Sequence, residues 1–84
     1  MAYSIRIKAS AERAIRKLER PQRERIVAAI DRLATDPHAG SVLKGEYSGL
    51  RRVRVGTFRI VYEARDRELL VLVVRVAHRR GAYR

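Results

Sequence analysis

Residues 50–62 read LRRVRVGTFRIVY, two runs of mostly alternating polar and apolar side chains on either side of Gly56-Thr57. A two-residue period is typical of strands with one buried face, and a glycine that leads a two-residue loop favours a hairpin turn of type II′. This turn fixes the register of the two strands, so that Arg54 faces Arg59 across the hairpin. We therefore predict one apolar face, which packs on the rest of the protein, and one face rich in arginine.

The sequence on either side supplies the other elements of a single domain, residues 1–84. Alternation over residues 3–8 predicts an N-terminal strand, and apolar residues at helical spacing predict a helix capped by Ser10 and a second helix with Pro21 in its first turn. Residues 40–45 are predicted to form a loop. Three strands follow, at about 50–55, 58–64 and 69–77. The predicted fold class is α+β, in which an N-terminal strand, a helical hairpin and a three-stranded antiparallel meander form one sheet with the helices on one face.

The charge of the chain points to an anionic partner. The net charge is +11 over 84 residues, and all but three of the 20 basic residues are arginine. Self-repulsion of this size works against compaction, and a polyanion would relieve it. Arginine also binds phosphate through two parallel N–H groups. We therefore expect nucleic acid, an acidic protein or both as partners.

The composition excludes several other kinds of chemistry. There is no cysteine, so no disulfide or thiolate metal site is expected, and two isolated histidines provide no zinc ligand set. A glycine-rich phosphate loop and the serine of a nucleophile elbow are missing as well. We expect an activity without metal or cofactor. Because we find no signal peptide and no apolar run of roughly 18 residues, we also expect a cytoplasmic location and no membrane partner.

Three arginines of the predicted hairpin share one sheet face: Arg52, Arg54 and Arg59. Like charges directly opposite each other destabilise a sheet, so stability alone does not explain the arrangement. Guanidinium groups held by rigid strands can instead bind a phosphodiester and stabilise the extra negative charge of its transition state. The alternative is a solvated face balanced by Glu63, one carboxylate against three cations. Of these two interpretations we favour the phosphate site.

Residues 78–84, HRRGAYR, form a basic segment directly after the last predicted strand. Tyr83 can stack on a base or simply lie on the surface. His78 can carry a proton near neutral pH or serve only as a polar residue at the end of the strand. The residues alone leave the role of Tyr83 open and favour the polar strand end for His78.

Three segments, in order after a strand and two helices, closely resemble the RelE/ParE superfamily of bacterial and archaeal toxins: Leu43-Lys44-Gly45, residues 50–62 and residues 76–83. The Gly-x-Phe-Arg-Ile-Val-Tyr stretch is common to the superfamily, and the His-Arg-Arg and late Tyr ending resembles its RelE branch. The resemblance covers essentially the whole chain. It implies a toxin of a type II toxin–antitoxin system that enters the ribosomal A site and cuts messenger RNA without a metal.

In that mechanism the ribose 2′-hydroxyl attacks the adjacent phosphate. By position, the resemblance places Arg59 and Arg79 on the phosphate-stabilising arginines and Tyr83 on the tyrosine that orients the substrate. Arg52 and Arg54 stand where RelE proteins often have lysines, and arginine is a poor general base because it effectively never deprotonates. Tyr83 or His78 is then expected to move the proton. RNA-binding roles are expected for Lys44, Arg51, Arg80 and Arg84.

Two other functions use the same charge. A ParE-like inhibitor of DNA gyrase would bind its target without cutting RNA. A non-catalytic RNA-binding or ribosome-associated module would show salt-sensitive binding without a product. For every version the charge and the resemblance together imply a RelB-like antitoxin, whose acidic amphipathic segment covers the arginines or displaces the C-terminal tail.

Overall fold

A computed structural model describes residues 2–78, and in this range a five-stranded mixed sheet packs on one side against two α-helices. The strand order is β1-β5-β4-β3-β2. Two single 3₁₀ turns, Gly45–Tyr47 and Asp66–Glu68, precede β3 and β5. The elements are β1 Ser4–Ile7, α1 Ala9–Arg16, α2 Arg20–Leu33, β2 Ser41–Val42, β3 Arg51–Val55, β4 Phe58–Arg65 and β5 Leu70–His78.

The predicted hairpin is confirmed in its register. Arg54 pairs with Arg59 across β3 and β4, and the turn between them is Gly56-Thr57. Gly56 has a φ of 59°, a left-handed conformation that glycine adopts without strain and that the first loop residue of a type II′ turn requires. The meander is also confirmed, since β4 runs antiparallel to both β3 and β5. The sheet is mixed because β1 joins the far side of β5 in parallel.

Two local predictions were wrong. Ser10 lies inside α1 rather than at its N-cap, because the helix begins at Ala9 and Lys8 takes the N-cap position without a side-chain hydrogen bond. Within the predicted loop 40–45, Ser41 and Val42 form the short edge strand β2. Two residues are too few to show a period, so this strand depends on its pairing with β3 rather than on a local pattern.

The core lies between the helices and one face of the sheet. Strands β4 and β5 provide its floor, and each helix turns one apolar stripe towards it. Phe58, Val53 and Val55 of the hairpin pack against its edge. Its buried members are Ala11, Ile15, Ile26, Ile30, Leu33, Ile60, Tyr62, Val71, Val73 and Val76. This packing makes the hairpin a rigid platform for whatever its opposite face carries.

Candidate nucleic-acid interface

The β3–β4 hairpin presents Arg52, Arg54 and Arg59 on the face away from the helices. Arg54 and Arg59 are direct cross-strand partners, and Cβ atoms in such pairs lie about 4.5–5.5 Å apart. Arg52 lies two residues from Arg54 on the same strand and therefore on the same side. The structure thus brings together the three arginines that the hairpin register predicted.

A fourth arginine, Arg75 of β5, reaches this face through a β-bulge. Strict alternation after Val73 would turn Arg75 towards the core, but the register with β4 shifts by one residue there and skips Val74. Arg75 then pairs with Val61, which itself pairs with Arg52. Sequence reasoning missed this residue, although a lone charge at a core-facing position of an apolar strand is a signal for a bulge. Together we call Arg52, Arg54, Arg59 and Arg75 the arginine face.

Two members of the arginine face have no anionic partner within residues 2–78. Among the described residues, no carboxylate lies within ion-pair distance of Arg52 or Arg54. Arg65, on the same side of β4 but at its far end, is instead paired with Glu63 at 2.7 Å and with Glu68 at 3.9 Å. Glu63, the candidate for balancing the cluster, is therefore engaged elsewhere.

Space for an anion exists beside these side chains. A cleft of about 60 Å³ at the tip of the hairpin is lined by Arg54 and Arg59 together with the turn. A cavity needs only about 10–15 Å³ of such volume to hold a water molecule, so this cleft has room for a single phosphate group. The Nε atom of Arg59 is shielded from solvent, so it is not itself a contact for an anion in the cleft. A wider cleft of about 470 Å³ lies beside Arg52 and Arg54 and extends to β2.

Arg51 lies on the opposite side of the sheet from its neighbour Arg52. Its Nη1 donates hydrogen bonds to the backbone carbonyls of His38 at 3.3 Å and Gly40 at 2.9 Å. The structure therefore gives Nη1 of Arg51 two partners within the chain, and the contact of Arg51 with RNA stays a prediction. Its role is to tie the loop before β2 to the sheet.

Tyr62 completes this attachment from inside the core. Its side chain is fully buried, and its hydroxyl donates to the carbonyl of Pro37 at 2.8 Å and accepts from the N–H of Gly40 at 3.0 Å. Burial raises the pKa of Tyr62, so the hydroxyl keeps its proton for this donation. A Cβ at Gly40 would lie 2.8 Å from the Tyr62 hydroxyl oxygen and from the carbonyl oxygen of Arg52. Only glycine allows this close approach, which places β2 beside Arg52.

A second polar cluster joins the same loop to the far end of the sheet. Asp66 accepts hydrogen bonds from the Tyr3 hydroxyl and from Nε2 of His38, both at 2.8 Å. The hydrogen bond from Tyr3, followed by that from His38, lowers the pKa of Asp66. The same bond raises the pKa of Tyr3. This cluster is exposed and lies apart from the arginine face.

Within the described residues, the predicted site residue His78 lies on the other side of the sheet from the arginine face. His78 is the cross-strand partner of Phe58, and the two rings meet edge to face with centroids 5.4 Å apart. Since Phe58 packs against the core on the helix side, His78 is on that side as well. Lys44 is exposed, two residues after β2. Arg79, Arg80, Tyr83 and Arg84 lie outside the described residues.

Two further observations concern residues 2–78 only. In this range no group of three or more carboxylate or imidazole side chains is arranged to hold a metal ion. Neither helix found there is long and apolar enough to cross a membrane.

Comparisons with known proteins extend over nearly the whole chain. The family model described as "ParE toxin of type II toxin-antitoxin system, parDE" matches residues 5–83. Toxin RelG of Mycobacterium tuberculosis is 33% identical over 90 residues, which cover 100% of this chain and 99% of that protein. A chain of the toxin–antitoxin complex RelBE2 of the same organism superposes with a TM-score of 0.87 and 30% identity, over 94% of this chain and 100% of that chain. A chain of the archaeal RelE–RelB complex from Pyrococcus horikoshii shares the fold with a TM-score of 0.79 and 24% identity, over 98% and 100% of the two chains.

Proposed function

This chain belongs to the RelE/ParE superfamily of toxins from type II toxin–antitoxin systems, and we propose that it is a ribosome-dependent endoribonuclease that cleaves messenger RNA. The observation that supports this activity is the arginine face. Four guanidinium groups lie on one side of rigid strands, and two of them have no carboxylate partner within the described residues. Such a surface binds an anion and binds a more highly charged transition state more tightly.

In the proposed reaction, the 2′-oxygen of a ribose attacks the adjacent phosphorus. A bond forms between that oxygen and phosphorus, and the bond from phosphorus to the 5′-oxygen of the next nucleotide breaks. The 2′-hydroxyl loses a proton and the leaving 5′-oxygen gains one, which gives a cyclic phosphate and a free 5′-hydroxyl. We assign to Arg54 and Arg59, which line one cleft, the stabilisation of the negative charge on the phosphate oxygens as the five-coordinate transition state forms.

We assign the transfer of the 2′-hydroxyl proton to a group outside the arginine face. Arginine does not deprotonate, so the arginine face orients and stabilises but does not act as a base. His78 packs on Phe58 at the helix side of the sheet, which favours Tyr83 as the proton-carrying group. Arg79 remains part of the proposal as a further phosphate ligand.

The test is primer extension on a message that is being translated by purified ribosomes with added toxin. We expect cleavage inside the codon that occupies the A site. The substitutions Arg59→Ala and Arg54→Ala should each lower the cleavage rate by about 10²–10³-fold, the loss typical of a removed oxyanion donor.

Arg65→Ala provides the matched control, because Arg65 is on the same strand and side but is already paired with Glu63 and Glu68. Its cleavage rate should stay close to that of the unsubstituted protein. An intact message in the presence of active toxin would contradict the nuclease proposal, as would equal losses for Arg59→Ala and Arg65→Ala.

A second candidate function is inhibition of DNA gyrase, because the matching family model is described by the name ParE. The two functions separate in a supercoiling assay. A gyrase inhibitor blocks supercoiling and leaves the message intact, whereas the proposed nuclease does the reverse. If Arg59→Ala lowers activity in the cleavage assay and has no effect in the supercoiling assay, the result favours the nuclease.

The proposal includes a RelB-like antitoxin as a partner. Structures of related toxins include complexes with RelB antitoxins, and the net charge of +11 favours an acidic binding segment. Native mass spectrometry of the toxin co-expressed with the product of its neighbouring gene should show a complex. A strictly solitary monomer would contradict this part of the proposal.

A further inference from the structure

A second cleft adjoins the hairpin turn on the side away from the arginine face. It has a volume of about 270 Å³ and lies between the first turns of α2 and the β3–β4 turn. It shares Gly56, Thr57 and Phe58 with the small cleft between Arg54 and Arg59. The two clefts are therefore neighbours at the tip of the hairpin. The lining residues of the larger one are Gln22, Arg25, Ile26, Val55, Gly56, Thr57 and Phe58.

The guanidinium of Arg25 stands directly over the turn. A Cβ placed on Gly56 would lie 3.5 Å from Nη2 and 3.6 Å from Nη1 of Arg25. Because Gly56 has no side chain, the guanidinium of Arg25 can lie this close to the turn, next to both clefts. Arg25 is exposed and, within residues 2–78, no carboxylate lies in ion-pair range of it. Its charge is therefore available to a ligand.

We propose that this cleft binds the nucleotide of single-stranded RNA adjoining the phosphate held by Arg54 and Arg59, with Arg25 on its phosphate. The inference rests on the proposed nuclease function, because it takes that phosphate as its starting point. The amide of Gln22 supplies both a donor and an acceptor for the edge of a base. The apolar lining from α2 and β3 suits the faces of the base.

The size and chemistry of the cleft favour one nucleotide over a protein segment. Its volume lies just below the range of about 300–1,000 Å³ typical of small-ligand pockets, which is too small for several peptide side chains. Its position next to the phosphate cleft also fits a chain with a phosphate at every unit. An acidic peptide shares the attraction to Arg25 but does not require a phosphate site beside it.

The proposal predicts that the contribution of Arg25 depends on RNA length. A two-nucleotide RNA with one phosphodiester supplies the phosphate for Arg54 and Arg59 but no second phosphate for Arg25, whereas a six-nucleotide RNA supplies both. Both RNAs should carry 2′-O-methyl groups, which remove the attacking hydroxyl and prevent cleavage. Affinities are measured by fluorescence anisotropy over a series of salt concentrations, with the intact protein and its variants.

We expect Arg25→Ala to weaken binding of the six-nucleotide RNA by about 3–10-fold and to lower its salt slope by about one. Binding of the two-nucleotide RNA should stay unchanged. Gln22→Ala should weaken binding of the six-nucleotide RNA without a change in salt slope, because Gln22 carries no charge. Arg32→Ala is the matched control. It removes the same charge from the same helix, but Arg32 lies outside the cleft.

Several outcomes would overturn the proposal: equal losses for both RNA lengths, equal losses for Arg25→Ala and Arg32→Ala, or no length dependence in the unsubstituted protein. An Arg25→Ala variant that binds RNA normally but loses its antitoxin would assign the cleft to a protein partner and also overturn it. The cleavage assay separates this result from the fate of the proposed function. Length-dependent binding without cleavage would support nucleotide binding in the cleft and contradict the nuclease proposal. Cleavage without length-dependent binding would support the nuclease proposal and contradict nucleotide binding in the cleft.

Discussion

Arg51 and Arg52 are neighbours in β3, and their side chains lie in opposite environments. Arg51, on the helix side, donates to two loop carbonyls, at 3.3 and 2.9 Å. Arg52, on the other side, has no carboxylate within ion-pair distance in the described part of the chain. One face of the hairpin satisfies its polar groups internally, and the other leaves cationic groups to a ligand.

The apolar residues of β4 show the same contrast. Ile60 is fully buried against the helices. Val61 is 3% exposed although it belongs to the arginine face, where its cross-strand neighbours Arg52 and Arg75 have long aliphatic stems that can cover it. The helix side is thus closed by packing against the helices, and the other side by the stems of long polar side chains. Substitutions on the first side should change stability, and substitutions on the second should change activity.

The largest expected effect on stability comes from Ile60→Ala. Its environment is built from two helices and a sheet and cannot collapse, so the free energy of unfolding should fall by about 2–5 kcal/mol. Val61→Ala removes two methyl groups, worth about 0.8 kcal/mol each, and flexible side chains can fill the space that they leave. Urea unfolding of both variants measures the difference. Equal losses would mean that the two faces are packed alike.

Tyr62→Phe should have the next largest effect. It removes one hydroxyl and leaves the carbonyl of Pro37 and the N–H of Gly40 without their partner, which costs about 1–3 kcal/mol when the groups are buried. Tyr3→Phe is the control, because it removes a hydroxyl from an exposed hydrogen bond. Urea unfolding should show a clearly larger loss for Tyr62→Phe. Equal losses would contradict the role of Tyr62 in holding the loop.

The parts of this arrangement that were predictable from sequence are those set by nearby residues. The Gly56-Thr57 turn and the alternation beside it act within a few positions, so the facing of Arg54 and Arg59 could be predicted. The location of the helices followed equally from local spacing and from Pro21.

Arg51 and Arg75 depend on contacts between distant segments. The two carbonyl partners of Arg51 were not predicted, because they depend on the glycine-dependent approach of the loop at Gly40. Arg75 was missed because the bulge at Val74 reverses the alternation of β5. The short strand β2 has the same origin, since it exists only through its pairing with β3. The alternation of polar and apolar residues within one segment does not predict these contacts between distant segments.

A smaller effect, of opposite sign, is expected for Arg54→Gln. It removes one of two like charges that face each other across the hairpin, so the protein should gain about 0.2–1 kcal/mol of stability while it loses cleavage activity. The gain should shrink in 1 M salt, where the Debye length is about 3 Å. Arg65→Gln is the control, since it removes a cation that is paired with Glu63. A loss of stability for Arg54→Gln at low salt would contradict the idea that this face is strained by charge.

The smallest effect concerns the exposed cluster that joins Tyr3, His38 and Asp66 at the other end of the sheet. The pKa of Asp66 in the folded protein lies below its ordinary value of 3.8, because the Tyr3 hydroxyl and then His38 donate to its carboxylate. A carboxyl group with a lowered pKa stabilises the fold above its unfolded-state pKa, and this contribution is lost as the pH falls through the folded-state pKa. The cluster should therefore support the fold at neutral pH and stop doing so in acid.

The measurement compares the unsubstituted protein with Asp66→Asn in urea unfolding from pH 7 to below pH 4. The difference between the two should be present at pH 7 and should shrink below the ordinary pKa of 3.8, while the acid sensitivity common to both cancels. The effect should be small because the Asp66 side chain is 58% exposed. Tyr3→Phe removes the strongest donor, so it should reduce the same difference at pH 7. A difference that stays constant across this pH range would show that the Asp66 carboxylate does not stabilise the fold through its charge.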